Sequence, residues 1–175
     1  MQMIVTQILG GIALIVGLIG IFFNNKKNYF IAQIISYLFN GIAFIVNGSL
    51  VAGINTLISI TRALILYIYE RKGKNPPLWL LAYSIAYITI GIIFMQNYLE
   101  IITMITPILF TLSMLMKNMQ LVRYYSILPE LMLIIYSMLT MAYTTATCYA
   151  VETITLIVAI IIFHIQKKRT IYYLL

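Results

Sequence analysis

Seven apolar runs, each about as long as a bilayer-spanning helix, follow one another with breaks so short that almost nothing is left for loops. A spanning helix needs about 20 mostly apolar residues, and on that template the runs fall near 3 to 23, 29 to 46, 49 to 69, 78 to 95, 99 to 116, 122 to 142 and 145 to 165. The breaks carry turn formers: Asn24-Asn25 ahead of two lysines, Asn47-Gly48, and Pro76-Pro77 in the longest connection. The pattern predicts an all-α transmembrane fold. The first run has no basic flank and is long enough to span, so it is expected to be a helix of the mature protein rather than a cleaved leader.

Composition agrees with that reading. The chain is 63% hydrophobic and only 9% charged, against about 25% charged in soluble domains. A net charge of +7 would otherwise suggest nucleic acid, but the basic residues sit in the breaks and not on a polar domain, so no nucleic-acid partner is expected. Lys26 and Lys27 lie in the first break, Arg71, Lys72 and Lys74 in the third, Lys117 and Arg123 around the fifth, and Lys167, Lys168 and Arg169 after the last run. Every basic residue but Arg62 therefore falls at one end of the helices. The positive-inside rule puts that end in the cytoplasm, with the N-terminus outside and the C-terminus inside.

A shift of 97 positions lays the first three runs on the last three, Lys26 on Arg123, Gln33 on Glu130 and Asn55 on Glu152. Identities are few, and the match rests on topology and charge placement. It predicts one membrane domain over residues 1–175, with a first three-helix repeat at 1–69, a linker helix at 78–95 and a second, parallel three-helix repeat at 99–169. This 3+1+3 plan is the SWEET-like arrangement of parallel-repeat transporters.

The ordered set Gln7, Gly10, Ile12, Ala13, Gly17, Phe22-Phe23-Asn24, Gln33, Gly48-Ser49, Ala52-Gly53 and Arg62, with Glu152 in the last run, resembles the YgjV family of bacterial inner-membrane proteins. The resemblance is clearest over residues 4–66. The family's layout is similar to that of the SWEET, PQ-loop and nicotinamide-riboside transporter group, which implies a transporter-like fold and no particular substrate. The chain departs from the family pattern at Ser59, where asparagine is usual.

Polar residues inside the runs are the candidate chemistry, because an ionisable side chain in a span is costly and usually faces a cavity or a partner. At about 1.5 Å per residue, Arg62, Glu130 and Gln33 are expected at one depth, with Arg62 and Glu130 as an ion pair or gate. Asn40, Asn55, Tyr136 and Glu152 are expected in a second layer lining a solute cavity. Static packing of the pair and hydrogen-bond glue from the asparagines are the competing readings. Pro107 and Pro129 are candidate hinges. Gly10, Gly11, Gly17 and Gly20 give the first helix a small face for close packing.

With one histidine, one cysteine and four glutamates, the chain lacks a metal-ligand set, a nucleotide loop or a nucleophile triad. No enzyme activity, cofactor or metal is expected. The expected partners are the lipid bilayer, a small polar solute and, in an assembly role, further copies of the chain. A small-solute transporter or permease is the leading reading, and a non-transporting receptor-like or assembly subunit the alternative. The topology is checked by impermeant thiol labelling of single cysteines at positions 25, 75 and 170: all three should react from the cytoplasmic side, and reaction from outside would reverse the assignment.

Overall fold

The computed structural model describes residues 2–48, 50–94 and 98–172. At residues 2, 3, 50–52, 100, 144 and 167–172 only the backbone is described, so the side chains of Lys167, Lys168 and Arg169 lie outside that description. The described residues form helices α1 (Gln2–Phe22), α2 (Lys26–Val46), α3 (Leu50–Arg71), α4 (Ala82–Phe94), α5 (Ile101–Met114), α6 (Met119–Leu139) and α7 (Tyr143–Tyr172). Short 3-10 turns, Leu78–Leu81 and Tyr98–Glu100, lead into α4 and α5. The boundaries follow local chemistry. The Asn25 side chain caps α2 by accepting from the Lys27 amide at 2.9 Å. Gly48 ends it at φ +77°, a left-handed conformation that glycine adopts without strain.

Among the described residues, four helical stretches are long and apolar enough to cross a bilayer: Ile4–Phe22, Lys26–Val46, Met119–Leu139 and Thr145–Gln166. The α4 and α5 segments are apolar but shorter. At 22 residues α3 is also long enough to cross, about 33 Å at the helical rise, and it carries Asn55, Ser59 and Arg62 within its apolar run.

Burial runs opposite to that of a soluble protein. In α1, Ile4, Ile8, Ile12, Ile15 and Ile19 are exposed at helical spacing while Ala13 is fully buried. Across the bundle the interior holds Ser36, Thr106, Thr111, Ser113, Ser126 and Ser137. Isoleucine outside and hydroxyls inside is the arrangement expected when lipid is the solvent, since buried polar groups then bond one another or backbone.

Each helix packs on its chain neighbours and α1 also meets α7, so the seven close into a ring. Within it α2 lies between α1 and α3, and α6 between α5 and α7. The small face of α1 is narrower than its four glycines suggest. Gly10 and Gly11 have nothing within 4 Å of where a Cβ would sit, whereas one on Gly20 would come 2.8 Å from Ala32 Cβ. Beside this close approach Ser36 donates to the Ala13 carbonyl at 2.8 Å.

At the end carrying the α1–α2 turn, two buried cations tie the first helices to the last. Lys26 donates to the carbonyl of Met116, just past α5, at 2.9 Å, and pairs with Glu70 at 3.5 Å. Arg123, fully buried on α6, donates to the carbonyls of Ile21 and Phe23 at 3.0 and 2.9 Å and stacks on Phe163 at 4.3 Å. Both cations thus cap the C-terminal end of another helix, where the unpaired carbonyls lie. Under this clasp Tyr29, Phe30, Leu66, Leu80, Met114, Met119 and Val122 form an apolar cluster.

Because the Gly20 approach is backbone-close and Ala32 has no rotamer to yield, Gly20→Ala should lower the thermal midpoint, at a cost of ~1–3 kcal/mol. Gly20→Ala with Ala32→Gly should regain most of it, measured by thermal unfolding in detergent.

Candidate functional site

A cavity of about 450 Å³ lies inside the ring, with wall residues from all seven helices. Its floor at the clasped end is the apolar cluster, since Tyr29 and Met114 belong to both. The wall contains Gln33, Asn40, Asn55, Arg62, Pro107, Glu130, Tyr136 and Glu152, all singled out in the sequence. Pro129 is fully buried in α6 beside Glu130 and is not among the wall residues. Both α5 and α6 run on as helix through their prolines.

The ion pair expected between Arg62 and Glu130 does not form. Arg62, 2% exposed, turns its guanidinium to α5, where Nη1 donates to the Thr111 hydroxyl at 2.7 Å and the Pro107 carbonyl at 3.2 Å. It also bonds the Tyr37 hydroxyl on α2 and lies 5.7 Å from the centre of the Tyr87 ring on α4. Among the described residues the ion pair present is Lys26–Glu70. Depth along a helix gives one coordinate only; the direction around the axis turns Arg62 to α5 and Glu130 to α7.

Glu130 meets Glu152, their carboxyl groups lying within hydrogen-bonding reach across α6 and α7. The two expected polar layers therefore merge on this wall. Two carboxyl groups can share a hydrogen bond only when one of them carries the proton. Glu130 is 6% exposed and its Oε2 has no protein partner; the same is true of Asn55 Oδ1 and Arg62 Nε on the cavity wall. Asn55 Oδ1 therefore accepts no hydrogen bond, from Glu152 or from any other described group.

Sequence reasoning missed much of the wall. Five tyrosines line it, Tyr29, Tyr37, Tyr87, Tyr136 and Tyr149, of which only Tyr136 stood out beforehand. Helix α4, expected to be the linker between the halves, contributes Tyr87, whose hydroxyl bonds Ser59 at 2.7 Å. Ser59, the departure from the family pattern, also donates to the Asn55 carbonyl at 2.9 Å. A tyrosine in an apolar helix is as much at home in a membrane interface as in a cavity, so sequence carried no signal to separate the two.

The profile of the Imp-YgjV family, described as bacterial inner membrane protein, matches residues 4–169. The chain belongs to that family. With its apolar helices this makes it a protein of the bacterial inner membrane. No curated protein and no solved structure matches the chain.

Since Arg62 is held by a carbonyl and hydroxyls, Arg62→Lys should destabilise the protein by about 2–3 kcal/mol, a single ammonium being unable to reach those partners from one position. Glu130→Gln should cost much less than the ~3–5 kcal/mol of a broken buried ion pair. Thermal and denaturant unfolding of both variants checks the order.

Proposed function

We propose that this protein is a small-solute transporter of the bacterial inner membrane, built as two parallel three-helix halves, residues 1–69 and 99–169, joined by α4. The N-terminus is outside and the C-terminus in the cytoplasm. The observation that carries this reading is the cavity, polar at mid-bundle and walled by all seven helices, where parallel-repeat transporters hold their solutes. The clasp supports the repeat: Lys26 and Arg123 are matched by the 97-residue shift, and each caps the C-terminal end of the first helix in the other half.

Transport follows from rocking of the halves about the cavity. At the clasped end the halves are tied through Lys26 and Arg123 and the apolar floor closes the path. Opening that end breaks these bonds, while Arg62 against α5 is the corresponding tie at cavity depth. The helix bends needed are absorbed at Pro107 and Pro129, where the ring removes a backbone donor. Asn40, Asn55, Tyr136 and Glu152 supply solute contacts.

The test is hydration. In a Cys148→Ser background, single cysteines at Asn40 and Asn55 should react with an impermeant, water-soluble thiol reagent at least ~10 times faster than cysteines at Ile85 or Ile154, because such reagents attack the thiolate, which needs water. Ile85 and Ile154 are the lipid-facing controls, at 67% and 61% exposure. Equal, slow labelling at all four positions would mean a dry interior and favour the non-transporting subunit.

A further inference from the structure

We infer that the cavity takes an organic monocation bearing an ammonium group, seated at Glu130 Oε2 and Asn55 Oδ1 and surrounded by tyrosine rings. This deepens the transporter reading and rests on it. The starting point is the set of buried polar atoms on the wall that the protein leaves without a partner: two acceptors, Glu130 Oε2 and Asn55 Oδ1, and one donor, Arg62 Nε. An unpaired carboxyl oxygen in a low-dielectric interior is costly whether or not its own group carries the proton, and a donor entering the cavity relieves that cost.

The other wall groups narrow the class. An anion would meet the Glu130–Glu152 pair, and Arg62, the cation among the described wall residues, offers it Nε alone, its Nη1 being engaged by Pro107 and Thr111 and its face lying toward Tyr87. A bare metal ion is disfavoured as well: no group of three or more His, Cys, Asp or Glu side chains comes together among the described residues. The cavity, at about 450 Å³, is in the range of sites for small organic ligands. A neutral polyol would satisfy the acceptors without compensating the charge of the acidic pair. An ammonium does both, and aromatic faces add attraction for a cation within about 6 Å of a ring centre. Tyr37, Tyr136 and Tyr149 share the wall with the pair. If one proton is shared by the two glutamates, the pair keeps one negative charge, which matches a single positive charge on the solute.

Three probes of equal shape separate the classes: benzylammonium, benzyl alcohol and benzoate. Each is titrated against the purified full-length protein in detergent, with the thermal midpoint as readout, and against Glu130→Gln, Glu152→Gln and the lipid-facing control Ile85→Leu. A bound ligand raises the midpoint in proportion to the logarithm of its saturation. Benzylammonium should stabilise the wild type and Ile85→Leu, and its apparent affinity should fall about tenfold or more in Glu130→Gln, the loss of about 1.4 kcal/mol. Glu152→Gln gives a second reading should Glu130→Gln not purify. Stabilisation by benzoate or benzyl alcohol that the cavity variants abolish would overturn the cation class while keeping the cavity as a solute site. A response to benzylammonium that is unchanged in both glutamate variants, or no response at all, would overturn the proposal; the labelling at Asn40 and Asn55 then decides separately whether the cavity is wet.

Discussion

Backbone carbonyls, more than carboxylates, hold the buried cations of this protein. Lys26 rests on the Met116 carbonyl, Arg62 on that of Pro107, and Arg123 on those of Ile21 and Phe23. For Lys26 and Arg123 the preference has a physical basis. An ion pair in hydrocarbon must repay the desolvation of two charges, whereas a carbonyl near a helix end is already unpaired and already carries partial negative charge. A cation placed there settles its own hydrogen bonds and those of the helix terminus together. Arg62 differs, since Pro107 lies inside α5 and the Thr111 hydroxyl is its nearer partner. Of the three, only Lys26 also finds a carboxylate, Glu70 at 3.5 Å, and it does so at the edge of the bundle.

The architecture depends on these contacts because the rest of the interface between the first and last helices is thin. The α1–α7 seam is a small apolar cluster, Ile21 with Leu156 and Ala159, and in lipid apolar contact offers little net drive for association. By contrast the clasp joins α2 to α5 and α6 to α1 through directional bonds. It fixes the bundle at one end and leaves the polar cavity above it.

Much of the architecture was legible in the sequence, because a spanning helix advertises itself by length and hydropathy. All seven apolar runs reappear as helices, most with ends shifted by up to four residues, while α7 runs seven residues past the expected end at 165. Which polar residues turn inward was legible too, since their cost in lipid leaves few other places for them: Asn40, Asn55, Arg62 and Glu152 reach one cavity. Partner choice was not legible. Arg62 and Glu130 share a depth but not a direction, and no periodicity in the sequence sets the rotation of one helix against another. Carbonyl partners such as that of Pro107 leave no trace in residue identity at all, so an arginine seen in sequence is naturally assigned to the nearest acid.

The clasp bonds close over 90 to 102 residues of chain, which gives Lys26 two successive occupations during biogenesis. When α1 and α2 are made, neither Glu70 nor the end of α5 yet exists, so the ammonium then has none of its clasp partners. Once Met116 has emerged, the same ammonium can take its place in the clasp, where Lys26 is 6% exposed. Arg123 faces no such wait, because its carbonyl partners at the end of α1 are synthesised long before it. Chain order therefore orders the clasp: the partners of Arg123 precede it, whereas those of Lys26 follow it, so Lys26 completes its contacts only when the later helices arrive.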